Sequence, residues 1–288
     1  VPPDPDRVLA DLVAARARPE GLTWLDGALA DAAAGRADLA AVFPAVSRQL
    51  GRGGLDAPGA TVTTAAGEEL SLAAWRVDDA GRVRLLLAAA RRAPDRALAL
   101  ARELYDQGDA RERAGALRAL SLLPGAERDD AALPAVLDAL RVTQGELFEA
   151  AVCDSPYASR HLPQLEWRKA VLKAAFIGLS VTRIARLHDR CDAELSSSVL
   201  DFAREREAAG RPVPPELWPL AARYAPPGLG AKLLGYLEHP AVEHRRAAAE
   251  ALGMMLPGEP RLRPFLVDHG AREPDEHVVR ALREALAS

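Results

Sequence analysis

Lysine is nearly missing from this 288-residue chain: three occur among 37 basic residues, so arginine carries almost every positive charge. Two cysteines, Cys153 and Cys191, are too few for a disulfide framework or a cysteine-based zinc site, and reduced, buried thiols are expected. Aromatic residues are scarce at 5% and β-branched runs almost lacking, which leaves little from which to build a sheet. No apolar run reaches about 18 residues, so no membrane-spanning helix is expected. A phosphate-cradling glycine loop, a nucleophile elbow and a zinc helix with paired histidines are all missing, and no cofactor is expected. "LHDRCD" gathers His188, Asp189, Cys191 and Asp192, but at no standard metal spacing; a helix-capping turn explains it.

Net charge is −4 and no segment forms a basic face, so nucleic acid is not an expected partner. The opening "VPPDPDRVLADL" runs straight into an amphipathic helix without a signal-peptide pattern, and Val1 points to a start upstream. A cytoplasmic protein is the expectation.

What the chain has is alanine and leucine, which favour closely packed helices. Periodicity reads as helix after helix, punctuated by Pro, Gly and Asp. "GRGGLDAPG" (51–59) is the clearest loop, and "TVTT" after it is the one hint of a strand. The Asp-Asp pairs at 78–79 and 129–130 read as acidity at helix N-termini. "ERAGALRAL" (112–120), "HRRAAAEAL" (244–252) and "VVRALREAL" (278–286) superpose residue for residue, the last two 34 positions apart. That spacing predicts an all-α chain, a HEAT-like α-α superhelix. Four segments follow: N-terminal helices over 1–60, HEAT-like repeats over 61–152, central helices over 153–224, and C-terminal HEAT-like pairs over 225–288.

Two of the three lysines sit in "WRKAVLKAAFIG" (167–178), which reads as the most apolar helix of the chain. At 100° per residue Glu166, Lys169 and Lys173 fall within about 60° of one another. Apolar residues take most of the remaining circumference, so the helix is expected to be central and buried. Its polar stripe must then face a pocket or paired carboxylates. The following helix offers Asp201, Glu205 and Arg206. Two readings stay open: an anion- or carbonyl-binding group at the bottom of a cavity, or an internal salt-bridge seam.

In this order, "SPYASRHLPQLEWRKAVLKAAFIG", "RIARLHDRCDAEL", "LDFAREREAAGR" and "PPELW" resemble the signature of the EboA family of metabolite-traffic proteins. The resemblance covers 154–224. It runs through Tyr157, Trp167, Lys173, Asp201, Glu205, Arg206, Arg211, Glu216 and Trp218, and departs at Ser155, Arg168, Lys169 and Glu207. It implies partners among other proteins of an ebo-type gene cluster, including a membrane prenyltransferase, and a small-molecule metabolite. It carries over no catalytic residue. The favoured expectation is a non-enzymatic scaffold or binding protein, its groove floored by the Trp167 helix. Candidate binding residues are Tyr157, Trp167, Lys169, Lys173, Asp201, Glu205, Arg206, Arg211, Glu216 and Trp218. The alternatives are an enzyme acting on an anionic or isoprenoid-like metabolite through Lys173 and Glu205, and a purely structural adaptor.

Overall fold

A computed structural model describes residues 3–143 and 145–287. Among the described residues the chain is mostly helical, with one two-stranded hairpin, as its composition leads one to expect. It divides into two compact units, the first Val1–Ala170 with Arg183–Ala185, the second Val171–Thr182 with Arg186–Ser288. Among the described residues no helix is long and apolar enough to cross a membrane.

In the first unit the helices are α1 (Pro5–Ala14), α2 (Pro19–Ala34), α3 (Leu39–Leu50), α4 (Val77–Arg92), α5 (Ala97–Gln107), α6 (Ala110–Ala119), α7 (Leu133–Arg141), α8 (Gly145–Val152) and α9 (Pro156–His161). The hairpin pairs β1 (Thr61–Thr63) with β2 (Glu69–Ser71), Val62 opposite Leu70 and both turned inward, where "TVTT" marks a strand. The hub is α4, which packs against α1, α2, α3, α5 and α6. Nearly every α4 residue from Val77 to Ala90 is buried, including Asp78, Asp79 and Arg82. Its approach to α6 depends on Gly115, since a Cβ there would stand 2.7 Å from Arg82 Cδ. Asp109 starts α6 as a capping box, accepting from the Arg111 and Glu112 N–H groups while Glu112 accepts from the Asp109 N–H.

The next helix, α10 (Gln164–Phe176), contributes to both units, which part between Ala170 and Val171. Here the structure corrects the expectation of a helix buried nearly all round. Its buried residues are Trp167, Ala170, Val171, Ala174 and Ala175, a single stripe at helical spacing. Leu165 and Phe176 lie on the opposite face, 53% and 64% exposed. The helix has apolar residues on both faces but buries one; the hub is α4, whose charges disguise it.

The second unit continues with α11 (Leu187–Arg190), α12 (Ala193–Ala208), α13 (Leu217–Ala222), α14 (Leu229–Tyr236), α15 (Val242–Met255), α16 (Arg263–Gly270) and α17 (Glu276–Ala287). Asp192 caps α12, its carboxylate accepting from the Leu195 N–H. The two superposing nine-residue segments fall in α15 and α17, which pack on each other. Their faces are built from Ala247, Ala248, Ala251 and Leu252 against Val278, Ala281, Leu282 and Ala285. Small residues let the axes approach closely: a Cβ on Gly253 would stand 2.5 Å from Ala285 Cβ.

Ala225, in the turn between α13 and α14, has φ 40°. An L side chain in the left-handed region costs about 1–2 kcal/mol. Glycine returns part of that through its freer unfolded chain, so Ala225→Gly should stabilise by about 0.5 kcal/mol. A rise in the urea midpoint at constant slope is the expected readout; a fall would mean that the methyl is needed for packing.

Candidate functional site

The densest charge in the first unit is a buried network around the start of α4. Asp78 accepts from Ser47 Oγ (2.7 Å), from Arg82 Nη1 (3.0 Å) and from Arg111 through Nη2 (2.6 Å) and Nε (2.9 Å). Arg111 also reaches Glu146 of α8 at 3.2 Å. Asp79 is paired by Arg118 of α6 at 2.8 Å, and Arg118 turns its other nitrogens to Asp154 at 3.1 and 3.2 Å. Arg183 closes the chain on Asp154 (2.6 Å) and Glu149. Asp78, Asp79, Arg82, Arg118 and Asp154 are all buried.

Burial raises the Asp78 carboxyl, but hydrogen bonds from Arg111 and Ser47 and the charges of Arg82 and Arg111 bring it below the usual carboxylate range. Burial wins at Asp79 and Asp154, whose carboxyls are pushed up despite Arg118. Cys153, beside Asp154 in sequence, is a buried thiol pushed up to about 12 by desolvation, which makes it a poor nucleophile. Each arginine here is committed to carboxylates inside the protein. The arrangement braces α3, α4, α6 and α8.

The second unit presents the more open chemistry. A cavity of about 440 Å³ lies among four segments. Ser180 and Thr182 contribute hydroxyls 2.8 Å apart, and Leu187 and His188 come from α11. Pro215, Glu216 and Pro219 come from the start of α13, and Glu243, Arg246, Ala247 and Glu250 from one face of α15. The α15 set recurs at i, i+3, i+4 and i+7, so a single helix face supplies it. Arg186, just before α11, holds a left-handed φ of 56° and sets the turn that presents Leu187 and His188.

A second, smaller hollow of about 340 Å³ lies beside Lys232, Tyr236 and His239. There Glu207 accepts from Tyr236 Oη at 2.8 Å and pairs with Lys232. Glu207 thus holds the third lysine of the chain.

The residues singled out from sequence divide between the units. Tyr157, Trp167 and Lys169 belong to the first; Lys173, Asp201, Glu205, Arg206, Arg211, Glu216 and Trp218 belong to the second. Tyr157 is buried, donating to the Asp129 carbonyl at 2.9 Å and accepting from the Ala132 N–H. Trp167 and Trp218 are fully buried. Lys169 corrects the expectation of a buried ammonium: its side chain is 60% exposed and pairs with Glu166 at 3.0 Å on the solvent side of α10. Lys173 is half-buried. Asp201 pairs with Arg204 at 3.0 Å at the surface, and Glu205 and Arg211 are exposed. Arg206 braces the end of α12 instead of meeting Glu205, donating to the Pro212 carbonyl with its guanidinium 5.5 Å from the Phe202 ring centroid. Of the ten, Glu216 alone lines the larger cavity.

Sequence reasoning missed the α15 wall of that cavity, because "VEHRRAAAE" reads as the solvated face of a repeat helix. It also missed the Asp78–Arg118 network. The available signal was the Asp78–Arg82 spacing of four and the Arg111–Arg118 spacing of seven, each placing its pair on one helix face.

A family model described as "Metabolite traffic protein EboA" matches residues 6–222, and a model of HEAT repeats matches 219–287. No curated protein and no solved structure matches the chain. The chain belongs to the EboA family of metabolite traffic proteins and carries HEAT repeats at its C-terminal end.

Proposed function

We propose that this EboA family member serves metabolite traffic as a non-enzymatic binding protein, holding a small molecule in the 440 Å³ cavity of its second unit. One observation carries the reading. The cavity draws part of its wall from the family-matched segment, Ser180 to Pro219, and part from HEAT helix α15. Its volume falls among those of small-molecule sites, about 300–1,000 Å³. Three of the charged candidate binding residues, Lys169, Asp201 and Arg206, are engaged in surface pairs and helix bracing outside this cavity. The partners this reading calls for are the other proteins of its gene cluster, which would deliver and receive the molecule.

The test is native co-purification followed by mass spectrometry, on the wild type and on Thr182→Trp. Thr182 is exposed at the cavity wall, so the indole should fill the space without entering a core. A small molecule should accompany the wild type and be lost from the variant at unchanged far-UV circular dichroism. Equal retention by both proteins would overturn the assignment of this cavity. Turnover of the retained molecule by the purified wild type would overturn the non-enzymatic reading.

A further inference from the structure

We infer that the second unit's cavity selects an organic cation, an amine with an apolar body; this rests on the binding reading above and names its ligand class. The charged groups in the wall are Glu216, Glu243, Glu250 and Arg246, with His188 beside them. Arg246 faces Glu250, Nε to Oε1 at 3.8 Å, one turn apart on α15, and the two neutralise each other. Among the described residues no basic side chain forms an ion pair with Glu216 or Glu243. The cavity therefore holds two carboxylates in excess of its cations. Glu216 comes from the start of α13 and Glu243 from the first turn of α15, so two separate elements bring negative charge to one hollow.

An anion entering this space meets repulsion from both sides, whereas an ammonium or guanidinium meets attraction. The rest of the wall is suited to the remainder of such a molecule. Leu187, Pro219 and Ala247 offer apolar surface to a hydrocarbon body. The Ser180 and Thr182 hydroxyls can donate to or accept from a hydroxyl or carbonyl of the ligand. A small amphipathic amine uses every part of the lining; a carboxylate or phosphate uses the apolar part and opposes the charge.

Three probes of similar shape test this by NMR on the isotope-labelled full chain: phenethylamine, 3-phenylpropanoate and 2-phenylethanol. The expected result is saturable shifts of the Thr182 and Ala247 amides with phenethylamine, at an affinity at least about tenfold above that of the acid. The preference should shrink as salt rises, because the carboxylates are solvent-accessible. It should vanish in the Glu216→Gln/Glu243→Gln double variant, which keeps the shape of both side chains. Equal or tighter binding of the acid at the same amides would overturn the charge selection and leave the cavity reading standing. No shift at those amides with any of the three would overturn both.

Discussion

Arg118→Ala should destabilise the first unit by about 3–5 kcal/mol, the range for removing one partner of a buried ion pair. Arg118 is 2% exposed and stands between Asp79 and Asp154, so the truncation leaves two carboxylates in the core with their principal counter-charge gone. Asp154 retains Arg183. Asp79 retains one hydrogen bond, from the Arg76 N–H at 3.0 Å, and the more distant charge of Arg111, and its Oδ1 already lacks a hydrogen-bond partner. Burial raises the carboxyls of Asp79 and Asp154 even with Arg118 in place. A folded-state pKa above the unfolded one means that the native protein binds more protons, so each group gains stability as pH falls through its folded value. Without Arg118 those values rise further. The variant's deficit should therefore be largest at neutral pH and shrink on acidification. Chemical denaturation of both proteins across pH 4–8 reads this out; a pH-independent loss, or one below about 1 kcal/mol, would show that the pair contributes little beyond surface bridges. Arg118→Met is the companion variant: it keeps the hydrocarbon stem and should lose nearly as much, which places the effect in the charge and not in the packing.

The same residues mark where the sequence was legible and where it was not. Helices, caps and repeats depend on neighbours three, four or some thirty positions apart, and these are visible in the string. Hence "HRRAAAEAL" and "VVRALREAL" correctly announced the C-terminal HEAT repeats. The signature from Ser155 to Trp218 announced the family matched over 6–222. Burial of charge depends on partners 33 to 36 positions away, as in Asp78 with Arg111 or Arg118 with Asp154, and no local pattern distinguishes those arginines from solvated ones. Hydrophobicity therefore pointed to α10 as the hub, while the more buried helix, α4, carries "DDAGR" in its first turns. Of the candidate binding residues only Glu216 falls in the cavity, and His188 was read as part of a capping turn; the other acidic wall lies on a helix whose sequence looks solvated.

Glu273→Ala should cost the HEAT segment about 3 kcal/mol, by stranding an arginine where few other acceptors exist. The Glu273 side chain is 1% exposed at the end of α16. It receives Arg245 of α15 in a two-pronged contact, Nε at 2.9 Å and Nη2 at 2.8 Å, with His269 Nε2 at 2.9 Å and the Asp275 N–H at 3.0 Å. One carboxylate thus ties α15, α16 and the entry to α17. Desolvation raises its pKa, but the hydrogen bonds from Arg245, Asp275 and His269 prevail and hold it at about 2, below the usual 4.5. A folded value below the unfolded one fixes the sign: the stabilisation is complete above about 4.5 and is lost as pH falls towards 2. Unfolding of the wild type should therefore grow easier through that window. Glu273→Gln, which keeps an acceptor oxygen but cannot titrate, should be less stable at neutral pH and show a flatter acid limb. Arg245 keeps the His239 and Pro240 carbonyls in either variant, which is why the loss falls at the lower end for a buried pair. Thermal unfolding of the three proteins from pH 7 to pH 2.5 separates the outcomes. If wild type and Glu273→Gln fall in parallel over the whole range, this carboxylate is not what joins the repeat helices.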